Sequence, residues 1–351
     1  MSVFGAGVGE CVVVHVGGGE WIVVDSCVDT TTRRPVALDY LELLGVDVAT
    51  AVKEVVVTHW HDDHLRGVAE LFQAASSAGM VCSGALRSEE FHLLLGAART
   101  SSMSRCLDEF GSMLEILRKR TFGRSASMGP TWAHCNQCLY RSNHASVHAL
   151  SPSHGTTTLA FRELAAIRPG RASTPKRRLV AQDPNEVSVA LWVEFGGLRV
   201  LLGADLEAGR DARTGWQAVV SSRERPQSRA RVIKVPHHGS SNADDPGVWS
   251  DLLEVNPFAV VTPYAAGAKP LPTKEDCERL GRRTSRLFCT APVRGHKPKE
   301  LSASVRKMVR LLAPDLHDIE GPMGQVRLRG RAGGADLDAE LFGRAFALAA
   351  A

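Results

Sequence analysis

Residues 58–64 read Thr-His-Trp-His-Asp-Asp-His, so histidines and aspartates dominate this short stretch. The five residues before it, Lys-Glu-Val-Val-Val, have the composition of a buried β-strand. Residues i and i+2 of an extended chain point the same way, so His59 and His61 can present their imidazoles to one metal ion. Asp63 and His64 follow where the chain would turn, and they can face a second ion. A buried strand leading into this pattern favours a metal-binding loop over a set of solvated surface histidines.

Two further predicted strands end in residues of the metal-binding type. The hairpin predicted at 188–202 leads directly into Asp205, and the strand at 231–236 ends in His237 and His238. Ligands that converge from separate strand ends build a preformed metal site on a rigid sheet. An aspartate after glycine is common in turns, and adjacent histidines also occur in simple loops. The prediction therefore depends on the order of these residues along the chain.

Asp25 ends the second strand of a hairpin predicted at residues 9–27, whose turn holds Gly17-Gly18-Gly19. A carboxylate at this position can accept a hydrogen bond from a metal-binding imidazole and fix its tautomer. A turn or a helix cap is an equal alternative for Asp25 from this segment alone.

The rest of the chain alternates strands and helices, which is the order of a layered α/β fold. We predict helices at 36–45, 67–78 and 273–283, and further strands at 146–152, 259–262, 286–290 and 325–329. Residues 1–330 are interpreted as one domain, in which residues 83–145 form a partly helical insertion over or beside the metal loop. Helical segments of this insertion are expected near 88–99 and 103–120. Residues 331–351 are predicted to be an alanine-rich C-terminal tail, helical or frayed.

Composition places the chain among globular proteins rather than disordered ones. It has 351 residues, of which 44% are hydrophobic and 23% charged, a net charge of +4 and a pI near 8.7. Basic residues cluster at 171–178, where a polar loop is predicted, and at 223–231; each cluster is either a solvated face or a contact for nucleic acid. We find no signal peptide and no apolar run long enough for a membrane span, so a cytoplasmic protein is expected.

The eight cysteines are scattered along the chain, which favours reduced thiols in a cytoplasm. Only Cys135 and Cys138 form a C-x-x-C pair, preceded by His134. A second pair is missing from the sequence pattern, although Cys82 or Cys106 can complete a zinc site through space. Plain thiols are the favoured interpretation.

With these motifs, the chain resembles the metallo-β-lactamase superfamily, whose hallmark H-x-H-x-D-H occurs at residues 59–64. Within it, the sequence is most similar to the soluble hydrolase domain of the DNA-uptake protein ComEC. The similarity runs from about residue 5 to 330, without the insertion, and its further motifs are Gly7–Cys11, Val24–Ser26, Asn185–Ser188, Leu201–Asp205 and Lys234–Ser240. It implies an αββα sandwich with two divalent metal ions, usually zinc and sometimes manganese, at one edge of the sheets.

The resemblance implies six metal ligands, which are His59 and His61 for the first ion, Asp63, His64 and His238 for the second, and Asp205 as a bridge. His238 is preferred to His237 because the last ligand of the family commonly precedes the glycine of this turn. His237 would then contact a phosphate or protonate a leaving group, and Asp63 would also orient the attacking hydroxide.

Three residues are expected to contact the substrate, namely Ser240, Lys234 and Asn185. Lys234 lies within a predicted strand, so its side chain can alternatively point outward. Many superfamily members carry a further histidine for the first ion before the bridging aspartate, whereas this chain has Asn185 and Ser188 there. His148 and His154 lie upstream in no matching context. We therefore expect the first ion to be held more weakly, with help from Asn185, water or substrate.

The implied chemistry is hydrolysis by a metal-bound hydroxide, because metal binding lowers the pKa of water from 15.7 to about 7. The first hypothesis is a phosphodiesterase, more narrowly a free-standing cytoplasmic nuclease acting on DNA or RNA, paired with an unknown partner protein. The second is a hydrolase of a small phosphodiester, thioester or lactone, with the insertion as a lid. The third is a non-catalytic binding module that a metal stabilises.

Overall fold

The computed structural model describes most of the chain, and its parts lie at residues 1–87, 105–121, 129–165, 184–266, 269–293, 304, 308, 323–330 and 336–348. Two eight-stranded mixed sheets form its centre. The predicted helical segment at 88–99 and nearly all of the predicted loop at 167–184 lie outside the described residues.

The first sheet has the strand order β15-β14-β1-β2-β3-β4-β5-β6. Its strands are β1 Ser2–Gly5, β2 Cys11–Gly17, β3 Glu20–Val24, β4 Val52–Val57, β5 Gly79–Ser83, β6 Thr131–Ala133, β14 Gly324–Gly330 and β15 Leu337–Gly343. Strands β3 to β6 are parallel, whereas the other neighbours are antiparallel. The predicted hairpin at 9–27 is therefore confirmed as β2 and β3.

The second sheet has the strand order β16-β13-β12-β11-β10-β9-β8-β7. Its strands are β7 Cys138–Arg141, β8 Ala145–Ala149, β9 Leu191–Phe195, β10 Leu198–Leu202, β11 Ala230–Lys234, β12 Leu253–Val261, β13 Leu287–Cys289 and β16 Phe346–Ala347. Strands β10 to β13 are parallel to one another. Their shared direction brings the ends of β10 and β11 to one edge of the sheet, where Asp205 and His237 follow.

Helices cover the outer faces of both sheets. Their bounds are α1 Val36–Leu43, α2 Val48–Ala51, α3 Asp62–Leu65, α4 Val68–Ala74, α5 Arg105–Thr121, α6 His154–Ala165, α7 Gly215–Ser221 and α8 Lys274–Arg283, with short 3₁₀ segments at Gly84–Arg87, Pro184–Val187, His237–Gly239 and Ser241–Ala243 and a π turn at Val248–Leu252. Helices α1, α4 and α5 pack on the first sheet, and α7 and α8 on the second.

A third apolar layer joins the two sheets, and it is built by valines of both, including Val14, Val56, Val193 and Val232. Because successive side chains of a strand point to opposite faces, a strand buried on both sides needs apolar residues at nearly every position. The valine-rich strands meet this requirement. The expected αββα sandwich is thus confirmed.

The C-terminal residues correct the sequence-based prediction of a separate tail. β15 pairs with β14 over its whole length, and β16 pairs with Phe288 and Cys289 of β13. Residues 337–347 therefore complete an edge of each sheet. The prediction of a tail was based on the alanine content. The buried side chains here, such as Leu337 and Phe346, are too widely spaced to show the alternation of a strand.

The predicted insertion at 83–145 is wrong in part, because β6 and β7 lie within it and form the end strand of each sheet. Its helical part, α5, lies beside the metal loop. The carboxylate of Glu109 accepts hydrogen bonds from the backbone N–H groups of Gly67 and Ala69, both at 3.0 Å. These N–H groups lie at the start of α4, so the helix itself offers them no hydrogen-bond acceptor, and a negative charge is favourable there. The insertion thereby stabilises the segment that directly follows the metal loop. Within the described residues, every helix is too short or too polar to cross a lipid bilayer.

Glu54 is a largely buried carboxyl group in the strand that leads to the metal loop. Among the described residues, its Oε2 atom has no hydrogen-bond partner. Burial raises the pKa of Glu54 from 4.5 to about 7. Each pKa unit corresponds to about 1.36 kcal/mol, so ionised Glu54 destabilises the folded state by about 3 kcal/mol. Partial exposure of the group to solvent reduces this cost to about 2 kcal/mol.

Glu54→Gln should increase the free energy of unfolding at pH 8 by about 2 kcal/mol. Because the pKa of Glu54 is raised, the folded wild type holds a proton on this group that the unfolded chain releases. The stability that this proton contributes to the wild type is complete below pH 4.5 and is lost as the pH rises to about 7. The advantage of the variant should shrink between pH 8 and pH 5 in urea unfolding. Glu278→Gln, which changes an exposed carboxylate of α8, is the matched control. An equal advantage at both pH values would contradict the prediction.

Candidate metal centre

The metal loop begins where β4 ends, and its fold follows from the strand and a short helix. Helix α3 starts directly after His61, which has an extended conformation (φ −93°, ψ 147°). This change from extended to helical backbone turns Asp63 and His64 back toward the strand end. His59 Nε2 lies 3.1 Å from His61 Nδ1, so both imidazoles meet at one point as the alternation predicted.

Asp205 reaches the same point from the second sheet. It follows Ala204, whose φ is +44°, and its backbone N–H donates to Ser188 Oγ at 3.2 Å. The N–H of His237 donates to the carbonyl of Ala204 at 2.9 Å. The turns after β10 and β11 are thereby tied together, which sets the distance between Asp205 and the histidine turn.

The histidine turn has a strained backbone, since His237 and His238 have φ values of +45° and +53°. Left-handed conformations cost energy for residues with a Cβ, and they persist where the surroundings hold them. Here the Arg279 side chain donates to the carbonyl of Gly239 at 2.6 Å and pairs with Asp244 at 3.1 Å. The strain directs His238 inward and leaves His237 at the rim.

The six expected ligands converge on two groups of side chains. The first group is His59, His61 and Asp205, and the second is Asp63, His64 and His238; within each, the ligand atoms lie within 4.8 Å of one another. His237 belongs to neither group, in agreement with the choice of His238.

Asp205 faces both groups. Its Oδ2 lies 3.3 Å from His238 Nε2 and 4.0 Å from His59 Nε2, whereas its Oδ1 lies 3.4 Å from His64 Nε2. A carboxylate that lies within 4.0 Å of histidines from both groups is suited to bridge two cations. This arrangement agrees with the bridging role that the resemblance implies.

Each buried histidine is held through the ring nitrogen that points away from the centre. His64 Nδ1 lies 2.7 Å from Asp25 Oδ2, His238 Nδ1 donates to the carbonyl of Thr262 at 2.8 Å, and His59 Nδ1 contacts Thr58 Oγ1 at 3.0 Å. Such contacts orient imidazoles and leave Nε2 for a metal. Of the two alternatives for Asp25, the imidazole contact is confirmed.

Two buried atoms at the centre provide the test of whether a cation fits. Among the described residues, neither His64 Nε2 nor Asp205 Oδ1 has a hydrogen-bond partner. A buried polar atom without a partner is costly, and a cation between these acceptors would satisfy both. Imidazole and carboxylate are also the donor types that zinc and related ions bind. The residues therefore fit a divalent metal.

The carboxylates of the centre stay ionised despite their burial. Burial alone would raise the pKa of Asp63, but the imidazoles of His64 and His238 outweigh it and hold this pKa well below its usual value. The pKa of Asp205 is lowered well below its usual value in the same way. Two negative charges thus face each other at a dry sheet edge.

The histidines respond to these charges in opposite directions. Burial acts to lower the pKa of His238, yet Asp205 and Asp63 raise it to about 10, and the pKa of His64 likewise lies well above its usual value. Burial, together with repulsion from its histidine neighbours, lowers the pKa of His59 well below its usual value. The carboxylates thus favour positive charge at His64 and His238, and a divalent ion bound to the neutral imidazoles would supply that charge in place of their protons.

The half around His59 and His61 lacks a third histidine. Ser188 Oγ lies 3.3 Å from His59 Nδ1, on the outer side of the ring, so it orients this ligand rather than joining it. His148 lies on β8 and His154 begins α6, and neither belongs to a ligand group of the described residues. The upstream histidines are thus not substitutes for the missing ligand.

The predicted substrate contacts are placed differently from one another. Asn185 is buried, and its Nδ2 donates to His237 Nε2 at 3.2 Å. His237 is held on its other side by Asn242 Oδ1, 3.0 Å from Nδ1. Ser240 is partly exposed and follows the histidine turn, with its N–H bonded to the carbonyl of His237. Asn185 and His237 thus lie together beside the ligands, whereas Ser240 also lines a small cavity with Asp244 and Arg279.

Lys234 does not fit the predicted phosphate contact. Its side chain is 0% exposed, and its Nζ lies 2.5 Å from Glu10 Oε2. The alternation of β11 turns Lys234 toward the first sheet, so the ammonium lies below the ligands and cannot reach a substrate. The alternative that it points outward is wrong for the same reason.

Sequence reasoning missed two residues of the centre. Glu10, placed within a matched motif but given no role, lies with His64 and Asp205 in a third group of ligand-type atoms within 4.8 Å. The ring of Tyr264 stacks on His238 with centroids 5.2 Å apart. A charged residue between Gly9 and the apolar run of β2 was the available signal for Glu10, whereas nothing local distinguishes Tyr264.

The C-x-x-C pair forms no metal site in the part of the chain described. Cys135 is half-buried and Cys138 exposed, and neither belongs to a group of ligand atoms close enough to share an ion.

Comparison with known proteins supports the fold and the superfamily. The family model of the metallo-β-lactamase superfamily matches residues 4–101. No curated protein matches the sequence significantly. The match covers β1 to β5 and the complete metal loop, and two sheets flanked by helices complete the metallo-β-lactamase fold. Members of this superfamily are metal-dependent hydrolases that typically bind divalent ions.

Solved structures show low overall similarity. A metallo-β-lactamase HARLDQ-motif mutant from Cronobacter sakazakii has 14% identity over 64% of this chain and 64% of that chain, with a TM-score of 0.31. Zn(2+)-bound PqqB from Methylobacterium extorquens has 11% identity over 64% and 56%, with a TM-score of 0.32. A class B3 di-zinc metallo-β-lactamase from an Alaskan soil metagenome has 13% identity over 58% and 61%, with a TM-score of 0.31. Each alignment spans less than two thirds of the solved chain.

Asp25→Asn should weaken metal binding about 10–100-fold. Asp25 Oδ1 accepts from the backbone N–H of Thr58 at 2.8 Å, so the amide oxygen of the variant must take this position. The amide N–H₂ then faces His64 Nδ1, which becomes an acceptor, and the ring proton moves to Nε2 where a cation would bind. Metal content after dialysis against a chelator is the measurement.

Asp29→Asn is the matched control for this variant, because Asp29 only caps the exposed turn at Thr31 and Thr32. The control should retain metal as the wild type does. Wild-type affinity in folded Asp25→Asn protein would show that the orientation of His64 does not depend on this carboxylate.

Proposed function

We propose that this protein is a metal-dependent phosphodiesterase that cleaves nucleic acid, DNA or RNA. The observation that carries the proposal is Asp205, which lies between two ligand groups at one sheet edge: its Oδ2 is near His59 of the first group, and both of its oxygens are near histidines of the second. Two divalent ions, zinc or manganese, are proposed to occupy these groups. The resemblance to the ComEC hydrolase domain supports nucleic acid as the substrate class.

Divalent ions bound at such a site lower the pKa of water and offset negative charge on a phosphate. The residues of this chain supply the geometry. Asp63 stays anionic because of His64 and His238, so it can accept a hydrogen bond from the attacking water and orient it. Asn185 and Asn242 hold the two ring nitrogens of His237. We propose that the substrate replaces Asn185 at Nε2, where protonated His237 contacts the phosphate or protonates the leaving oxygen.

The arginines near residues 223–231 do not lie at the metal edge. Arg231 is in the first half of β11, whereas the histidine turn follows the other end of this strand. Arg231 and Arg199 line a cavity of about 880 Å³ that opens between the hairpin turns at the opposite edge, with Phe195 and Arg327. Direct substrate contact at the centre is therefore proposed for Asn185, His237 and Ser240 rather than for these arginines. The basic cluster at 171–178 lies outside the described residues.

The proposal includes a cytoplasmic location and nucleic acid as the main binding partner. A small phosphodiester, a thioester or a lactone is the competing substrate class, and a metal-stabilised binding module is the competing function. Each alternative predicts a different outcome of one substrate panel.

Protein reconstituted with zinc or manganese should cleave plasmid, single-stranded DNA or RNA, and a chelator should stop the reaction. His61→Ala and Asp205→Asn should each reduce the rate of cleavage by more than ~100-fold. Loss of a residue that only orients a ligand typically costs ~100-fold at most, whereas each of these variants removes a ligand itself. His144→Ala is the matched control, since this histidine lines the cavity at the opposite edge. Gel assays with the purified variants give the rates.

If the protein hydrolyses bis(p-nitrophenyl) phosphate, a thioester or a lactone but leaves nucleic acids uncleaved, the nuclease proposal is refuted. That outcome favours the small-substrate enzyme. Bound metal without turnover of any substrate in the panel would favour the binding module. Equal loss of activity in His144→Ala would show that the assay reports protein stability rather than the metal centre.

A further inference from the structure

Glu10 and Lys234 form an ion pair that is almost completely excluded from water. Their exposed fractions are 2% and 0%, and Lys234 Nζ lies 2.5 Å from Glu10 Oε2. Glu10 belongs to the first sheet, where it precedes β2, whereas Lys234 ends β11 of the second sheet. The pair therefore connects the two halves of the sandwich directly below the metal edge.

Both partners are also bonded to the segments that carry the ligands. The N–H of Glu10 donates to the carbonyl of Asp63 at 2.9 Å, and Lys234 Nζ donates to the carbonyl of Ala204, which precedes Asp205, at 3.0 Å. Thr262, whose carbonyl holds His238, donates its hydroxyl to Glu10 Oε2 at 2.5 Å. The ion pair thus contacts a ligand-bearing segment of each sheet, namely the segments of Asp63 and Asp205.

The ammonium of Lys234 also faces a ligand atom directly. Its Nζ lies 3.9 Å from Asp205 Oδ1, the same oxygen that lies near His64 Nε2. The carboxylate of Glu10 is in turn close to both His64 and Asp205. A charge at either position therefore acts on the centre across a short distance with little water between.

Stability alone is a weak reason for such a pair. Removing two charges from water costs about as much as their attraction returns, and apolar replacements of buried pairs are often neutral or stabilising. Intact, the pair adds no net charge beside the centre. With one partner removed, the other faces Asp205 without its counter-charge and with little screening by water.

We propose that the Glu10–Lys234 pair sets the cation affinity of the metal centre. Lys234 orients Asp205 through its Oδ1, and Glu10 cancels the positive charge that Lys234 would otherwise direct at the bound ions. Both are positioning residues, since neither touches the substrate. This inference rests on the metal site of the proposed function, but not on its phosphodiester substrate.

The charge-balance role predicts effects of opposite sign for the two single variants. Glu10→Gln leaves the ammonium uncompensated and should weaken zinc or manganese binding at least about tenfold. Lys234→Met leaves a carboxylate near His64 and Asp205, and should bind these ions at least as tightly as the wild type. The double variant restores neutrality and should bind more tightly than Glu10→Gln alone.

The measurement is competition for zinc or manganese with a fluorescent chelator, at fixed pH and ionic strength, with metal stoichiometry by mass spectrometry. Circular dichroism shows that each variant is folded. Glu278→Gln and Lys274→Met are the matched control pair, because these residues form an exposed ion pair on α8. Both controls should bind metal as the wild type does.

Equal weakening by Glu10→Gln and Lys234→Met, with no recovery in the double variant, would overturn the proposal and leave the pair a purely structural link. Wild-type affinity in Glu10→Gln would overturn it as well. An absence of nucleic-acid cleavage changes none of these affinities, so failure of the proposed function is distinguishable from failure of this inference.

Discussion

Buried negative charge is the constraint on which the metal edge depends. The carboxylates of Glu10, Asp25, Asp63 and Asp205 are all nearly excluded from water at this edge. Each has a cationic or donor partner, namely Lys234 for Glu10, Thr58 and His64 for Asp25, and the shared His238 for Asp63 and Asp205. Such an arrangement is stable only when charges are paired, and a divalent cation is the strongest partner available.

Backbone strain at the same edge shows how the rigid sheets hold this arrangement. Among the described residues, Asp25, Ala204, His237 and His238 are four of the seven non-glycine residues with positive φ. All four lie where a strand has just ended and a ligand or its partner begins. Strain of this kind persists only where surrounding contacts determine the conformation, and the paired strands and the Arg279 contact supply them.

Much of the centre could be predicted because its signals are local. The alternation of His59 and His61, the carboxylate after β10 and the histidine pair after β11 each lie next to an apolar strand, so the strand pattern indicates that they share one edge. Lys234 was misplaced because a strand pattern does not tell which buried partner a charged side chain meets. Glu10 was missed because it is far from Lys234 in sequence and the two sheets must pack before they touch.

The amino-acid sequence by itself determined the layered α/β order and the residue types that a divalent metal binds, because strand periodicity and ligand chemistry are properties of short segments. The two-sheet sandwich and the choice of His238 as a ligand were implied by the resemblance that the motifs carry. Only the tertiary structure decided that Asp25 holds His64, that the C-terminal residues complete both sheets and that a buried ion pair lies beneath Asp205. These features arise from contacts between segments far apart in the chain. Their energies depend on burial and distance, which exist only once the two sheets have packed.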